Sequence, residues 1–76
     1  MTLDKLKPGQ TCEVVEYIED TLITRRLMEM GLMPGVEVTY LRNAPLQDPL
    51  EIQVGSSCLS LRQKEASIIT VELIED

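Results

Sequence analysis

Most of the chain consists of short stretches in which apolar and polar residues alternate. The alternation is clearest at Leu50–Val54, where apolar residues at every second position flank Glu51 and Gln53, as expected for a half-buried strand. Similar stretches, rich in β-branched residues, predict further strands at Thr11–Glu19, Val36–Arg42, Cys58–Arg62 and Ile68–Leu73. The pattern therefore predicts a mainly β protein of about five short strands.

The spacing of apolar residues changes between the first two predicted strands. Ile23, Leu27 and Met30 lie at i, i+4 and i+7, which predicts one buried face of a helix over Leu22–Met30. Arg25 and Glu29 are four residues apart on another face and form a predicted ion pair. One helix is therefore inserted after the first strand, with Met30 assigned to the core.

Turn and cap residues define the ends of these elements. Asp20 is the predicted N-cap of the helix, because its carboxylate can accept a hydrogen bond from an unpaired backbone N–H. Gly31 supplies the left-handed residue that ends the helix, and Pro34-Gly35 fits the centre of a type II turn. Short helical turns are predicted at Leu3–Leu6 and Gln63–Ala66, the second just before the last strand. Five strands with one inserted helix suggest a small, partly open barrel.

Length and charge limit the function classes. With 76 residues, we expect a single domain over 1–76 with a small core. Acids outnumber bases 13 to 7, and the net charge of −6 disfavours nucleic acid and anionic membrane surfaces. No stretch has the roughly 20 apolar residues that cross a bilayer, and the N-terminus does not resemble a signal peptide. The sequence therefore predicts a cytoplasmic protein without membrane insertion.

Residues suited to catalysis are scarce. The chain contains no histidine, which excludes Ser-His and Cys-His pairs, and it has no phosphate-binding glycine loop. Cys12 and Cys58 have no CxxC partner, and we expect two free thiols, with Cys58 out of phase with the apolar residues of its strand. We predict that the protein is not an enzyme.

Three segments carry a family resemblance. The chain resembles the FeoA family of small proteins of bacterial ferrous iron transport in three segments, which occur in the order RRLMEMGLMPG, APLQDPLEI and LSLRQKEASIITV. The resemblance implies an SH3-like β-barrel, and as partner the FeoB membrane transporter, whose cytoplasmic part binds GTP. It also implies an accessory or regulatory role in iron uptake, and leaves open whether GTP hydrolysis by the partner changes.

Candidate partner-binding residues lie on the helix and on the loop of residues 43–49. The helix and the turn after it offer charged and soft apolar side chains: Arg25, Arg26, Met28 and Met33. The loop is stiffened by its prolines and offers Pro45, Leu46, Asp48 and Pro49. The alternatives stay open, because arginines are often solvated or paired within a fold and Leu46 can instead cover the end of the barrel.

Other functions remain open at this stage. The resemblance extends to the C-terminal SH3-like domain of metal-responsive repressors, although a chain from Met1 to just after its last strand favours a stand-alone protein. An iron chaperone is a further alternative. Carboxylates such as Glu13, Glu16 and Glu19 lack the spacing of a metal loop, so we expect no certain cofactor and at most weak binding of Fe(II) or another divalent metal. Exposed strand edges permit a weak homo-dimer.

Overall fold

The computed structural model of the chain describes residues 1–43 and 48–74. In these ranges the elements are β1 (Thr11–Tyr17), α1 (Leu22–Glu29), β2 (Glu37–Asn43), β3 (Leu50–Val54), β4 (Ser57–Leu61), α2 (Gln63–Ala66) and β5 (Ile69–Ile74). The described strands form one antiparallel sheet of order β4-β3-β2-β1-β5, and a 3₁₀ turn at Leu3–Lys5 precedes it. The predicted mainly β fold, with its inserted helix and the short helical turn before the last strand, is confirmed.

The N-terminal residues cover one edge of this sheet. Thr2 forms an isolated bridge with Thr70 of β5. The Val71 N–H donates to the Met1 carbonyl oxygen at 2.8 Å, and the N-terminal ammonium donates to the Val71 carbonyl at 3.4 Å. The outer edge of β5 is therefore partly paired, which limits edge-to-edge association on that side.

A bulge in β1 decides which side chains enter the core. The pairing of β1 with β5 shifts register between Val14 and Glu16, so Val15 is an extra residue of β1. If the same residues formed a regular strand without a bulge, the alternation that buries Val14 would also point Glu16 inward. With the bulge, Glu16 is exposed and the half-buried Tyr17 packs against the core.

A second bulge lies in β2. Its pairing with β3 shifts register between Tyr40 and Arg42, so Leu41 is the extra residue. The shift places Arg42 opposite Glu51, and the two side chains form an ion pair at the surface. Since both groups are substantially exposed, this pair contributes little to stability.

The core is a single cluster to which every described strand and both helices contribute. Its buried side chains are Leu3, Leu6, Cys12, Val14, Leu27, Leu32, Val38, Tyr40, Leu50, Ile52, Leu61, Ala66, Ile69 and Val71. The alternation predicted for β3 is confirmed, because Leu50 and Ile52 are both fully buried. The core pair predicted in the last strand, Ile69 and Val71, is confirmed as well.

The predicted buried face of the helix is only partly correct. Leu27 is fully buried, but Ile23 is 38% exposed and Met30 is 41% exposed. The reason is the length of α1, which has eight residues and turns only Thr24 and Leu27 fully toward the sheet. Met30 follows as the C-cap and lies outside the packed face, so its assignment to the core is wrong.

The start of α1 also differs from the prediction. The N-cap is Thr21, which has extended backbone angles of φ −122° and ψ 178° and accepts a hydrogen bond from the Thr24 N–H at 3.4 Å. Asp20 lies one residue too early for this position. Its carboxylate is 3.8 Å from the Arg25 side chain, and this pair replaces the one predicted with Glu29.

The end of α1 follows the prediction. The Leu32 N–H donates to the Leu27 carbonyl at 3.1 Å and the Gly31 N–H donates to the Met28 carbonyl at 3.0 Å, which together form a Schellman motif. Gly31 has φ +108°, as the motif requires. The chain then turns at Pro34-Gly35, where Gly35 has the predicted positive φ.

Candidate functional site

Exposed aliphatic side chains concentrate where β1 passes into α1. Ile18 is 62% exposed, Leu22 is 81% exposed and Ile23 is 38% exposed. The Ile18 N–H donates to the carbonyl of the half-buried Ile68 at 2.8 Å, which brings the β1 end beside the start of β5. We call Ile18, Leu22, Ile23 and Ile68 the junction patch. Clustered exposed aliphatic groups of this kind mark contact surfaces.

A shallow hollow adjoins the junction patch between the start of α1 and α2. Its volume is about 180 Å³, and it is lined by Glu19, Thr21, Ile23, Lys64, Ser67 and Ile68. Small-molecule sites usually occupy roughly 300–1,000 Å³. The hollow therefore suits a single side chain of a protein partner better than a complete small-molecule substrate.

The backbone beneath the junction patch is held in place by a buried threonine. Thr24 is 2% exposed, and its Oγ1 donates to the Glu19 carbonyl oxygen at 2.7 Å. The Thr24 N–H donates to the Thr21 hydroxyl oxygen. Thr24 therefore bonds to both ends of the segment that lies between Ile18 and Leu22. Since this segment is ordered before any partner arrives, docking on it loses less conformational entropy.

The sequence patterns missed this patch. The alternation pattern places Ile18 in the first strand, and the helical spacing places Ile23 on the buried face and Leu22 at the first position of the helix. The sequence does contain one signal, because Leu22 is a large apolar residue that lies off the face defined by Ile23 and Leu27. An apolar residue off the periodic face is exposed, and exposed apolar groups that cluster mark contact surfaces.

The predicted helix residues are separated from one another in the structure. Arg25 is paired with Asp20, and Arg26 forms an ion pair with Glu65 that ties α1 to α2. Met28 is half-buried, whereas Met33 is 47% exposed. The arginine groups thus have partners within the fold, and Met33 is the more accessible of the two methionines.

The predicted loop residues are only partly described. Asp48 Oδ1 accepts a hydrogen bond from the Gln63 N–H at 3.1 Å, so its exposed side chain caps α2. Pro49 is half-buried, and the Asp48–Pro49 peptide bond is cis. Pro45 and Leu46 lie outside the described residues.

The described residues do not form a metal centre. In the ranges 1–43 and 48–74, no three His, Cys, Asp or Glu side chains are grouped so that they could hold an ion. Cys12 is buried and Cys58 is exposed on β4, and both thiols are free. Glu13 lies directly opposite Glu37 on one neighbouring strand and Glu72 on the other, a row of like charges without converging ligands.

Two weakly acidic groups, the buried Cys12 thiol and the half-buried Tyr17 hydroxyl, give the fold a testable pH dependence. Burial raises the pKa of the Cys12 thiol from 9.0 to about 11. Burial likewise raises the pKa of Tyr17 from 10.0 to about 12, and the Tyr17 hydroxyl donates to the Leu32 carbonyl at 2.7 Å. Because the folded state holds these protons more tightly than the unfolded state, their stabilising effect is complete below the unfolded pKa values.

We therefore expect the free energy of unfolding to fall as the pH rises from about 9, through the folded pKa of Cys12 and then that of Tyr17 near 12. Denaturant titrations between neutral and alkaline pH measure this effect. The variant Tyr17→Phe should lose stability at neutral pH, because the Leu32 carbonyl loses its partner, and should show a shallower decline above pH 10. The same decline in both proteins would contradict the assignment to Tyr17.

The helices of the described ranges are all too short to cross a bilayer.

A second hollow, of about 400 Å³ and polar, lies beside β2 and β3. Of the described residues that line it, Glu37 is the single ionisable one. A lone carboxylate does not provide the acid and base pair of a hydrolytic site.

Comparison with known proteins agrees with this geometry and extends it. The FeoA domain family matches residues 1–73. The chain is 34% identical over 74 residues to the Fe(2+) transport protein A/Fe(2+) transporter FeoB fusion protein of Porphyromonas gingivalis. That match covers 97% of this chain, which spans only 9% of the length of the fusion protein.

Solved structures share the fold. Iron(II) transport protein A from Clostridium thermocellum has a TM-score of 0.92 and 32% identity, over 97% of this chain and 46% of that chain. FeoA of Stenotrophomonas maltophilia, a procaryotic SH3 domain protein complexed with zinc, has a TM-score of 0.78 and 38% identity, over 95% and 89% of the two chains. The predicted SH3-like fold is thus confirmed. From the match of residues 1–73, the sheet and the inserted helix together, we conclude that this chain belongs to the FeoA domain family.

Proposed function

We propose that the chain is an accessory protein of bacterial ferrous iron uptake that acts by binding the cytoplasmic GTP-binding part of a FeoB transporter. The observation that carries this proposal is the P. gingivalis fusion, in which a domain similar to almost the whole chain is joined to FeoB. Covalent linkage gives two domains a high effective concentration. A separate chain would need a contact surface to reach the same arrangement, and the protein would work in the cytoplasm.

The geometry supports binding in two ways. The junction patch supplies exposed aliphatic groups on an ordered backbone, which is the kind of surface that forms protein contacts. The adjoining hollow of about 180 Å³ is small enough to be filled by one side chain of a partner. Both features are consistent with an accessory role that requires no catalysis by this chain.

The proposal is tested by titrating the chain into the purified cytoplasmic domain of FeoB from the same organism, by calorimetry or amide chemical-shift mapping. We expect one-to-one binding with a Kd of about 1–100 μM, since small transient interfaces bury less than roughly 1,200 Å². The titration is run without nucleotide, with GDP and with a GTP analogue, each with and without Fe(II). Absence of binding under all of these conditions would overturn the proposal.

Metal binding is the second candidate function, because a relative 38% identical to this chain forms a complex with zinc. The donors described here do not fit a resident ion, since the sequence has no histidine and the Cys12 thiol is buried with a raised pKa. We expect only weak binding of Fe(II) or Zn(II). Anaerobic calorimetry near neutral pH decides, because submicromolar one-to-one binding would place this function above the first.

A further inference from the structure

We propose that the cytoplasmic part of FeoB docks on the junction patch, through a segment with one apolar side chain that fills the adjoining hollow and basic residues around it. This inference rests on the proposed function and adds to it the docking surface and the chemistry of the partner. It replaces Met33 and the residue 43–49 loop as the expected centre of the contact.

The first argument is the position of the exposed apolar groups. Leu22 at 81% and Ile18 at 62% are the most exposed large apolar side chains among the described residues, and they flank one short segment. Met30 and Met33 are less exposed, at 41% and 47%, and lie at the other end of α1. A helix of eight residues is about 12 Å long, so the two ends present separate surfaces.

The second argument is that Leu22 contributes little to the fold. A side chain that is 81% exposed removes little apolar surface from water within the chain. Its burial by a partner would contribute nearly the full transfer free energy of a leucine, which corresponds to a tenfold or larger change in Kd. Side chains that become fully desolvated near the centre of an interface are the ones that dominate its binding free energy.

The third argument is the charge around the junction patch, which indicates what kind of partner can bind there. Glu16 and Glu19 are exposed beside the patch and have no ion-pair partner within residues 1–43 and 48–74, and Lys64 is the one basic residue that lines the hollow. A second copy of the chain carries the same net charge of −6 and is repelled. An anionic bilayer is repelled for the same reason. A protein segment with lysine or arginine beside its apolar anchor fits both the patch and its acidic rim.

The experiment compares Leu22→Ser and Ile18→Ser with Met33→Ser in the titration against the FeoB cytoplasmic domain. We expect the first two variants to bind at least tenfold more weakly than the wild type, and Met33→Ser to bind within about twofold of it. Circular dichroism and thermal unfolding show whether each variant is folded, which the high exposure of Leu22 favours.

A charge comparison tests the rim. Glu19→Lys and Glu37→Lys each change the net charge from −6 to −4, but Glu19 lines the hollow whereas Glu37 lies on β2, in the row with Glu13. We expect Glu19→Lys to weaken binding at least fivefold and to reduce its salt dependence, with a smaller effect of Glu37→Lys. Equal effects of the two variants would show that only net charge matters and would overturn the acidic rim.

The outcomes separate the two proposals. If the wild type does not bind FeoB, the proposed function fails and the inference fails with it. If the wild type binds and Leu22→Ser binds equally well, the inference alone is overturned. It is also overturned if sedimentation shows a wild-type dimer that Leu22→Ser abolishes, or if wild-type binding to vesicles of phosphatidylserine depends on Leu22.

Discussion

Replacing Leu27 by alanine is expected to lower the free energy of unfolding by about 3 kcal/mol. Leu27 is fully buried, and it packs α1 into the core next to Leu32, which is also fully buried. The substitution removes three carbon atoms from a closely packed site and leaves a cavity that the short helix can only partly close. For a chain of 76 residues, total stability is on the order of 4–11 kcal/mol, so the loss is a large part of it.

The same helix supplies a matched control. Leu22→Ala makes an identical chemical change at a residue that is 81% exposed, and we expect its stability to stay within about 0.5 kcal/mol of the wild type. Urea unfolding followed by circular dichroism measures both variants. Equal losses at the two positions would mean that helix propensity, and not burial, determines the effect of these leucines.

Replacing Gly31 by alanine is the second large effect, with an expected loss of about 1–2 kcal/mol. A Cβ at this position would meet nothing closer than the Val54 side chain at 3.9 Å, so steric contact is not the cause. The cause is the backbone, because φ is +108° and residues with a Cβ rarely adopt that conformation. The Schellman hydrogen bonds from Gly31 and Leu32 would be strained or lost.

Two further variants separate backbone strain from other effects of the Gly31 substitution. Gly31→Asn should lose less stability than Gly31→Ala, since asparagine tolerates positive φ better than alanine. Glu29→Ala, at an exposed position of the same helix end, should change stability within about 0.5 kcal/mol. Equal stability of Gly31→Ala and the wild type, measured by thermal unfolding, would contradict the assigned role of the glycine.

The features that the sequence predicted well are those with a local cause. The alternation in Leu50–Val54 needs only period-two burial, and the turn at Pro34-Gly35 needs only the restricted angles of those two residues. The end of α1 at Gly31 was predictable for the same reason. The resemblance to the FeoA family added the SH3-like arrangement, which no single strand pattern contains.

The features that were not predicted depend on contacts between elements. The bulges at Val15 and Leu41 arise from pairing with β5 and β3, and neither has a local sequence signal. The first strand ends at Tyr17 rather than Glu19, and Ile18 keeps a backbone hydrogen bond to Ile68 while its side chain is 62% exposed. Ile23 and Met30 share the periodicity of Leu27, but the short helix turns them away from the sheet.

The candidate site likewise combines features that the sequence predicts with features that depend on contacts between elements. Composition alone predicts an acidic protein with few residues suited to catalysis. The position of the patch depends on where β1 stops, how Thr24 holds the segment before it, and how α2 closes one side of the hollow. Those three facts come from tertiary packing and have no local sequence signal. The contact residues predicted from the sequence, on the helix, on the turn after it and on the loop, stay predictions.

The bulge at Val15 also has a consequence for how this family can vary in length. Deletion of Val15 would remove the extra residue and leave a regular strand in which Glu16 still points outward and Tyr17 inward. Deletion of Glu13, by contrast, would exchange the inward and outward positions of Thr11 and Cys12. Relatives should therefore be able to lose one residue at the bulge, whereas length changes elsewhere in β1 should be rare.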